Sequence, residues 1–137
     1  MDDIEEIKKL KARYLRTVDV KDWDGFRAVF ADDVVWDTRS TGSKLVTGAD
    51  AVTDYVKRNL DSAVCVHQGH MPEIELTSPT TATGIWASED LIRWPDGREL
   101  RGYGHYYETY EKIDGAWVIK TLVFTELRAD FTQASHA

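Results

Sequence analysis

The chain has 137 residues, 42% hydrophobic and 30% charged, with a formal net charge of −7, which reads as one globular domain spanning 1–137 and large enough to bury a core. So acidic a surface repels phosphate backbones and argues against nucleic acid as a partner. A single cysteine, Cys65, excludes an internal disulfide and fits a reducing compartment. The first residues are acidic where a signal peptide is basic and then apolar, and no run of about 18 apolar residues occurs. The expectation is a cytoplasmic protein without a membrane contact.

Apolar residues at Ile4, Ile7, Leu10, Tyr14, Leu15 and Val18 recur at helical spacing, with Lys8, Lys9, Lys11 and Arg16 on the other face. Asp22 then predicts the N-cap of a short second helix carrying Trp23, Phe26, Val29 and Phe30. Val34–Trp36 and Lys44–Val46 read as short strands around a loop at Thr38–Ser43. Thr47 and Asp50 have capping-box spacing for a third helix that buries Val52, Tyr55, Val56 and Leu60.

From residue 63 the period changes from helix to strand. Four strands are expected, at Val64–Leu76, Thr81–Trp94, Glu99–Lys112 and Ala116–Arg128. Turn residues separate them at Ser78-Pro79-Thr80, Pro95-Asp96-Gly97 and Asp114-Gly115, the last being the strongest hairpin signal. Ala129–Ala137 reads as a frayed tail. Three helices followed by an antiparallel meander define an α+β class. A curved sheet closed on one side by helices makes a cone, whose interior is a natural small-molecule pocket.

The residue types that carry chemistry gather around His67 and His70. Histidine is the side chain that exchanges protons near neutral pH. In an unbroken strand residues three apart face opposite ways, so only one of the two enters a pocket. Periodicity favours His70, which shares parity with Ile74 and Leu76. A bulge at Gly69 would bring His67 inward instead. Either could equally be a hydrogen-bonded structural histidine.

Tyr14 lies on the apolar face of the first helix and Asp19 at its end. A buried tyrosine hydroxyl can donate to a developing enolate oxygen, and a carboxylate beside an imidazole sets its tautomer. The simpler reading makes Tyr14 core and Asp19 a loop acid. Asp90 shares parity with Trp86 and Ala82, so it is either an inward acid or one more solvated strand carboxylate. Tyr103, His105 and Tyr107 share a face, which suits a subunit contact or core. Arg128 could meet a substrate carboxylate or cap the rim. Histidines at His67, His70 and His105 splay on strands, so no metal is expected. Aromatics at Trp36, Tyr55, Trp86 and Phe124 suit a ring-bearing or apolar ligand.

Several stretches together resemble one superfamily. They are Tyr14-Leu15-Arg16-Thr17-Val18-Asp19 with Trp23 following, Asp32-Asp33-Val34, His67 and His70 leading to Thr83-Gly84-Ile85-Trp86, and Gly102-Tyr103-Gly104-His105-Tyr106. With the element order, they resemble the SnoaL-like branch of the nuclear-transport-factor-2-like superfamily, over nearly the whole chain. Within it the chain resembles scytalone dehydratase and the bile-acid 7α-dehydratases, which pair a pocket histidine with a carboxylate and hold the substrate carbonyl with tyrosine. That resemblance implies His67, Asp19 and Tyr14 as catalytic residues. It also implies Asp90 as a pocket acid and Arg128 as an approximate match for a late arginine. It turns the choice from His70 to His67, with a bulge near Gly69 as the structural consequence. The second histidine of scytalone dehydratase falls near Ile92, so scytalone itself is not the expected substrate.

The function that follows is a cofactor-free dehydratase of β-hydroxy carbonyl compounds. Asp90, Arg128, Trp86, Trp36, Tyr55 and His70 are the expected substrate-contacting residues. An isomerase, cyclase or hydrolase on the same scaffold, or a non-catalytic binding module, are the alternatives. A second copy of the chain, docked through the open sheet face, is the partner that the resemblance implies.

Overall fold

The computed structural model describes residues 2–133. Helix α1 runs Asp3–Val20, α2 Trp23–Ala28 and α3 Ala49–Leu60; the strands are β1 Phe30–Asp37, β2 Leu45–Thr47, β3 Val64–Ser78, β4 Thr81–Arg93, β5 Glu99–Ile113 and β6 Ala116–Thr132. They form one six-stranded sheet in the order β2-β1-β6-β5-β4-β3. The pairing of β1 with β6 is parallel and every other pairing antiparallel. The sheet is curved and unclosed, the helices cover its concave face, and the α+β cone expected from the sequence is the observed architecture.

Local chemistry sets most boundaries. Asp2 caps α1 by accepting from the Ile4 N–H at 2.9 Å, and Lys21 in the left-handed region closes its other end. Asp22 caps α2 through the Gly25 N–H at 3.0 Å, as its position predicts. At the β5–β6 hairpin both Asp114 (φ 50°) and Gly115 (φ 81°) take positive φ, the geometry that matches strand twist in a two-residue turn. Three local expectations need correction. Thr47 belongs to β2, and the residue ahead of α3 is Gly48, which makes no side-chain cap. The last strand continues to Thr132, so 129–132 are paired with β5 rather than frayed; 134–137 lie outside the described residues. The sheet also gains β1 and β2 beyond the four-strand meander.

One core lies between the helices and the sheet. Ile7, Leu10, Phe26, Val34, Val52, Ile119 and Leu122 are all essentially solvent-free, each contributing about 1.5–3 kcal/mol by burial. Lys11, expected on the solvent face, is also completely buried. Its Nζ sits 2.6 Å from Glu108 Oε2, both side chains are 0% exposed, and the ammonium lies over the rings of Tyr14 and Tyr106. Tyr110 donates to the other Glu108 oxygen at 2.6 Å and accepts from the Trp86 indole at 2.9 Å. Ions taken this far from water need such full pairing. The network forms the floor beneath the cone's cavity.

Candidate active site

The cavity holds about 440 Å³ and opens between α1, α3 and the inner face of the sheet. Phe26, Trp36, Tyr55, Ile92 and Phe124 give it apolar walls; Tyr14, His67, Asp90, Tyr106 and Glu126 give it polar points.

His67 is held there by Asp19. Strand β3 is an edge of the sheet, and edge strands carry backbone N–H groups without a ladder partner. The Asp19 carboxylate, in the last turn of α1, accepts from the His67 N–H at 3.0 and 3.1 Å and contacts its ring Nδ1 at 2.7 Å. A carboxylate is an acceptor only, so Nδ1 carries a proton, and in the neutral ring Nε2 is the basic nitrogen. The His67 side chain is 10% exposed. One acid thus satisfies an edge strand and sets a tautomer.

Asp90 is the cross-strand partner of His67 and accepts from the Ser88 hydroxyl at 3.2 Å. Burial pushes its carboxyl above the usual range, and His67 only partly offsets that. Tyr14 is packed against Phe26, Phe30 and Tyr106 at ring distances of 5.2, 5.9 and 5.8 Å. Burial raises its phenol, so it stays protonated and able to donate; the nearby Trp36 indole acts the other way. Trp36 Nε1 itself is buried without a hydrogen-bond partner.

Bulges decided which expected residues reach this cavity. The register of β3 shifts between His70 and Glu73, with Met71 at φ 26°. That irregularity puts His67 on the inner face together with Ile74, as a bulge should. It falls at Met71-Pro72 and not at Gly69, which stays in register opposite Ser88. Gly69 serves close packing instead, since a Cβ there would lie 3.0 Å from Leu15. His70 faces outward, 51% exposed, with its Nε2 3.4 Å from Glu89, so it is not a cavity residue.

Arg128 is a second correction. On β6, Glu126 pairs with Gly104 and Arg128 with Tyr103, leaving Leu127 as the extra residue. Beyond that bulge Ala129 and Phe131 line the cavity, and Arg128 turns outward, 72% exposed and paired with Asp130. Trp86 is also not a lining residue; it is buried and donates to Tyr110. Trp36, Tyr55 and Phe124 do line the cavity.

Sequence reading passed over Lys11, Glu108 and Glu126, although each left a signal. Lys11 falls in the 7, 11, 14, 18 helical series of the buried face. Glu108 alternates with Tyr106 and Tyr110, and Glu126 with Leu122 and Phe124. Among the described residues no group of three His, Cys, Asp or Glu side chains is placed to hold a metal, and no helix is long and apolar enough to cross a membrane.

A cone of this topology with a polar cluster at its inner face defines the nuclear-transport-factor-2-like class. Residues 1–123 match the SnoaL-like domain, and the chain belongs to that family. Similar solved structures include a candidate scytalone dehydratase from Novosphingobium aromaticivorans, 20% identical over 98% of this chain and 91% of that one, TM-score 0.87. The hexachlorocyclohexane dehydrochlorinase LinA-type3 from Novosphingobium barchaimii is 20% identical over 98% and 93%, TM-score 0.83. A Mycobacterium tuberculosis protein of unknown function is 24% identical over 92% and 72%, TM-score 0.80. At these identities the likeness establishes the fold.

Proposed function

We propose that the protein is a cofactor-free acid–base lyase, a dehydratase of a β-hydroxy carbonyl compound. The observation that carries this reading is the Asp19–His67 contact, which turns Nδ1 to the carboxylate and makes Nε2 the basic nitrogen of the neutral ring, beside Asp90. His67 Nε2 removes the proton α to the carbonyl, and Tyr14 donates to the enolate oxygen that forms. The β-hydroxyl then leaves as water, with its proton from the His67 imidazolium or from Asp90. Loss of a halide needs no proton on the leaving group. Burial raises the Asp90 carboxyl, which suits a proton donor to a departing hydroxyl and so favours the dehydratase over the dehydrochlorinase alternative.

His67→Ala should cut turnover on a true substrate by roughly 10²–10⁴-fold, and Asp19→Asn should lower it comparably by losing the tautomer. Product mass distinguishes the reaction: loss of water identifies the lyase, while unchanged mass identifies an isomerase or cyclase. Full turnover in His67→Ala would remove His67 from the mechanism.

We also propose a second copy of the chain as partner, packed on the outer sheet face where Tyr107 and Val123 are exposed and paired across strands. Sedimentation equilibrium at micromolar concentration should return a dimer or larger; a monomer overturns this.

A further inference from the structure

Among the described residues, His67 is the only member of the cavity lining that can carry positive charge, and it already faces Asp19 and Asp90. Glu126 enters the lining from β6; its backbone N–H donates to Ser40 Oγ at 2.9 Å, and no ion pair among the described residues engages its carboxylate. Asp90 stands opposite Gly102 and Glu126 opposite Gly104, so the two acids flank β5, roughly 12 Å apart from two strand spacings of about 4.8 Å and a two-residue offset of about 3.4 Å per residue. Between them Gly102 keeps the wall open, because a Cβ there would meet nothing within 4 Å. None of the described lining residues is Lys or Arg. The buried Lys11 beneath is already neutralised by Glu108. Lys44 and Arg58 approach the Tyr55 ring at 5.5 and 6.0 Å but do not line the cavity.

The donor of this cavity is Tyr14. Its side chain lines the wall, is 5% exposed, and burial keeps its phenol protonated. A bound acceptor oxygen gives that hydroxyl a partner away from water. The cavity therefore offers a donor at the Tyr14 end and an acceptor at Glu126, with apolar ring walls between.

We propose that this site selects uncharged, two-ended ring compounds, placing an acceptor oxygen at Tyr14 and a hydroxyl that donates to Glu126, and that it rejects carboxylates and phosphates. This rests on the reading of the cavity as the substrate site and specifies its substrate class; Glu126 is the residue that reads the far hydroxyl.

Calorimetric titration of the intact protein near neutral pH with three probes tests it: 2-naphthol, 2,6-dihydroxynaphthalene and 2-naphthoate. The expected order is the diol tightest, then 2-naphthol, with 2-naphthoate weaker than 2-naphthol by roughly tenfold or more from the facing Glu126 carboxylate. Glu126→Gln should bring the diol toward 2-naphthol and strengthen 2-naphthoate. Tyr14→Phe should weaken 2-naphthol several-fold and leave the discrimination against 2-naphthoate in place. Binding of 2-naphthoate equal to or tighter than 2-naphthol overturns the proposal, as does an unchanged probe order in Glu126→Gln or no binding by any probe at millimolar concentration. His67→Ala separates the two readings, since it should keep the probe order whatever it does to turnover. An active His67→Ala protein with the order intact refutes the lyase chemistry alone.

Discussion

At the scale of single residues, the site depends on what each polar group has within reach. Asp19 answers two needs at once, an edge-strand N–H and a ring nitrogen, and so His67 has one orientation. Asp90 has fewer partners, and burial governs its acidity. Its native carboxyl is raised, so between the ordinary carboxylate value of about 4 and that raised value the folded state binds more protons than the unfolded chain. Stability therefore falls as pH rises through this window. Asp90→Asn should remove that loss, giving a protein more stable than wild type near neutral pH and no more stable in acid. Urea unfolding at several pH values measures this, and an unchanged pH dependence would contradict it. Arg128 shows the opposite outcome: a long cation that reaches water and Asp130 has no reason to enter an apolar cavity.

At the scale of elements, close approach and register do the positioning. Gly104 on β5 shows how tight the approach is, since a Cβ there would lie 2.1 Å from the Thr125 carbonyl oxygen and 2.7 Å from Phe124. Backbone cannot yield as a side-chain end can, so Gly104→Ala should destabilise the fold by about 1–3 kcal/mol. Gly102→Ala, two residues away with open space around it, should unfold at nearly the wild-type temperature. Comparing the two melting temperatures checks the distinction. The bulges at Met71-Pro72 and Leu127 matter more for function, because each reverses the faces of every residue beyond it.

At the scale of the whole molecule, the Lys11–Glu108 pair ties α1 to β5 beneath the cavity. Removing one partner leaves a buried charge without its counter-ion. Lys11→Met should therefore cost about 3–5 kcal/mol, whereas the Lys11→Met, Glu108→Gln double variant should recover much of that. A double-mutant cycle by urea unfolding reads the coupling; additive losses would mean that the pair is not coupled. The cavity's acidity belongs to the same scale, since it sums side chains from β4 and β6 that no local stretch brings together.

Local patterning was enough to read the elements and several of the residues that line the cavity. Helical spacing, the Asp22 cap and the Asp114-Gly115 hairpin are local chemistry, legible because their physics acts over a few residues. Asp90 was legible as inward from its alternation with Trp86 and Ala82, on a strand with no bulge. His67, Arg128 and Lys11 were not settled in that way. Alternation carries information along a strand only until a bulge interrupts it, and a bulge is set by the register of the neighbouring strand. Parity alone therefore chose His70, and Arg128 lost its expected place beyond Leu127. Lys11 sat in the buried helical series, yet a lysine is placed on the solvent face by default. Only the tertiary fold supplied the Glu108 that allows it inside. Asp19 and His67, 48 positions apart, meet because α1 packs along the edge of the sheet, and that contact exists only in three dimensions.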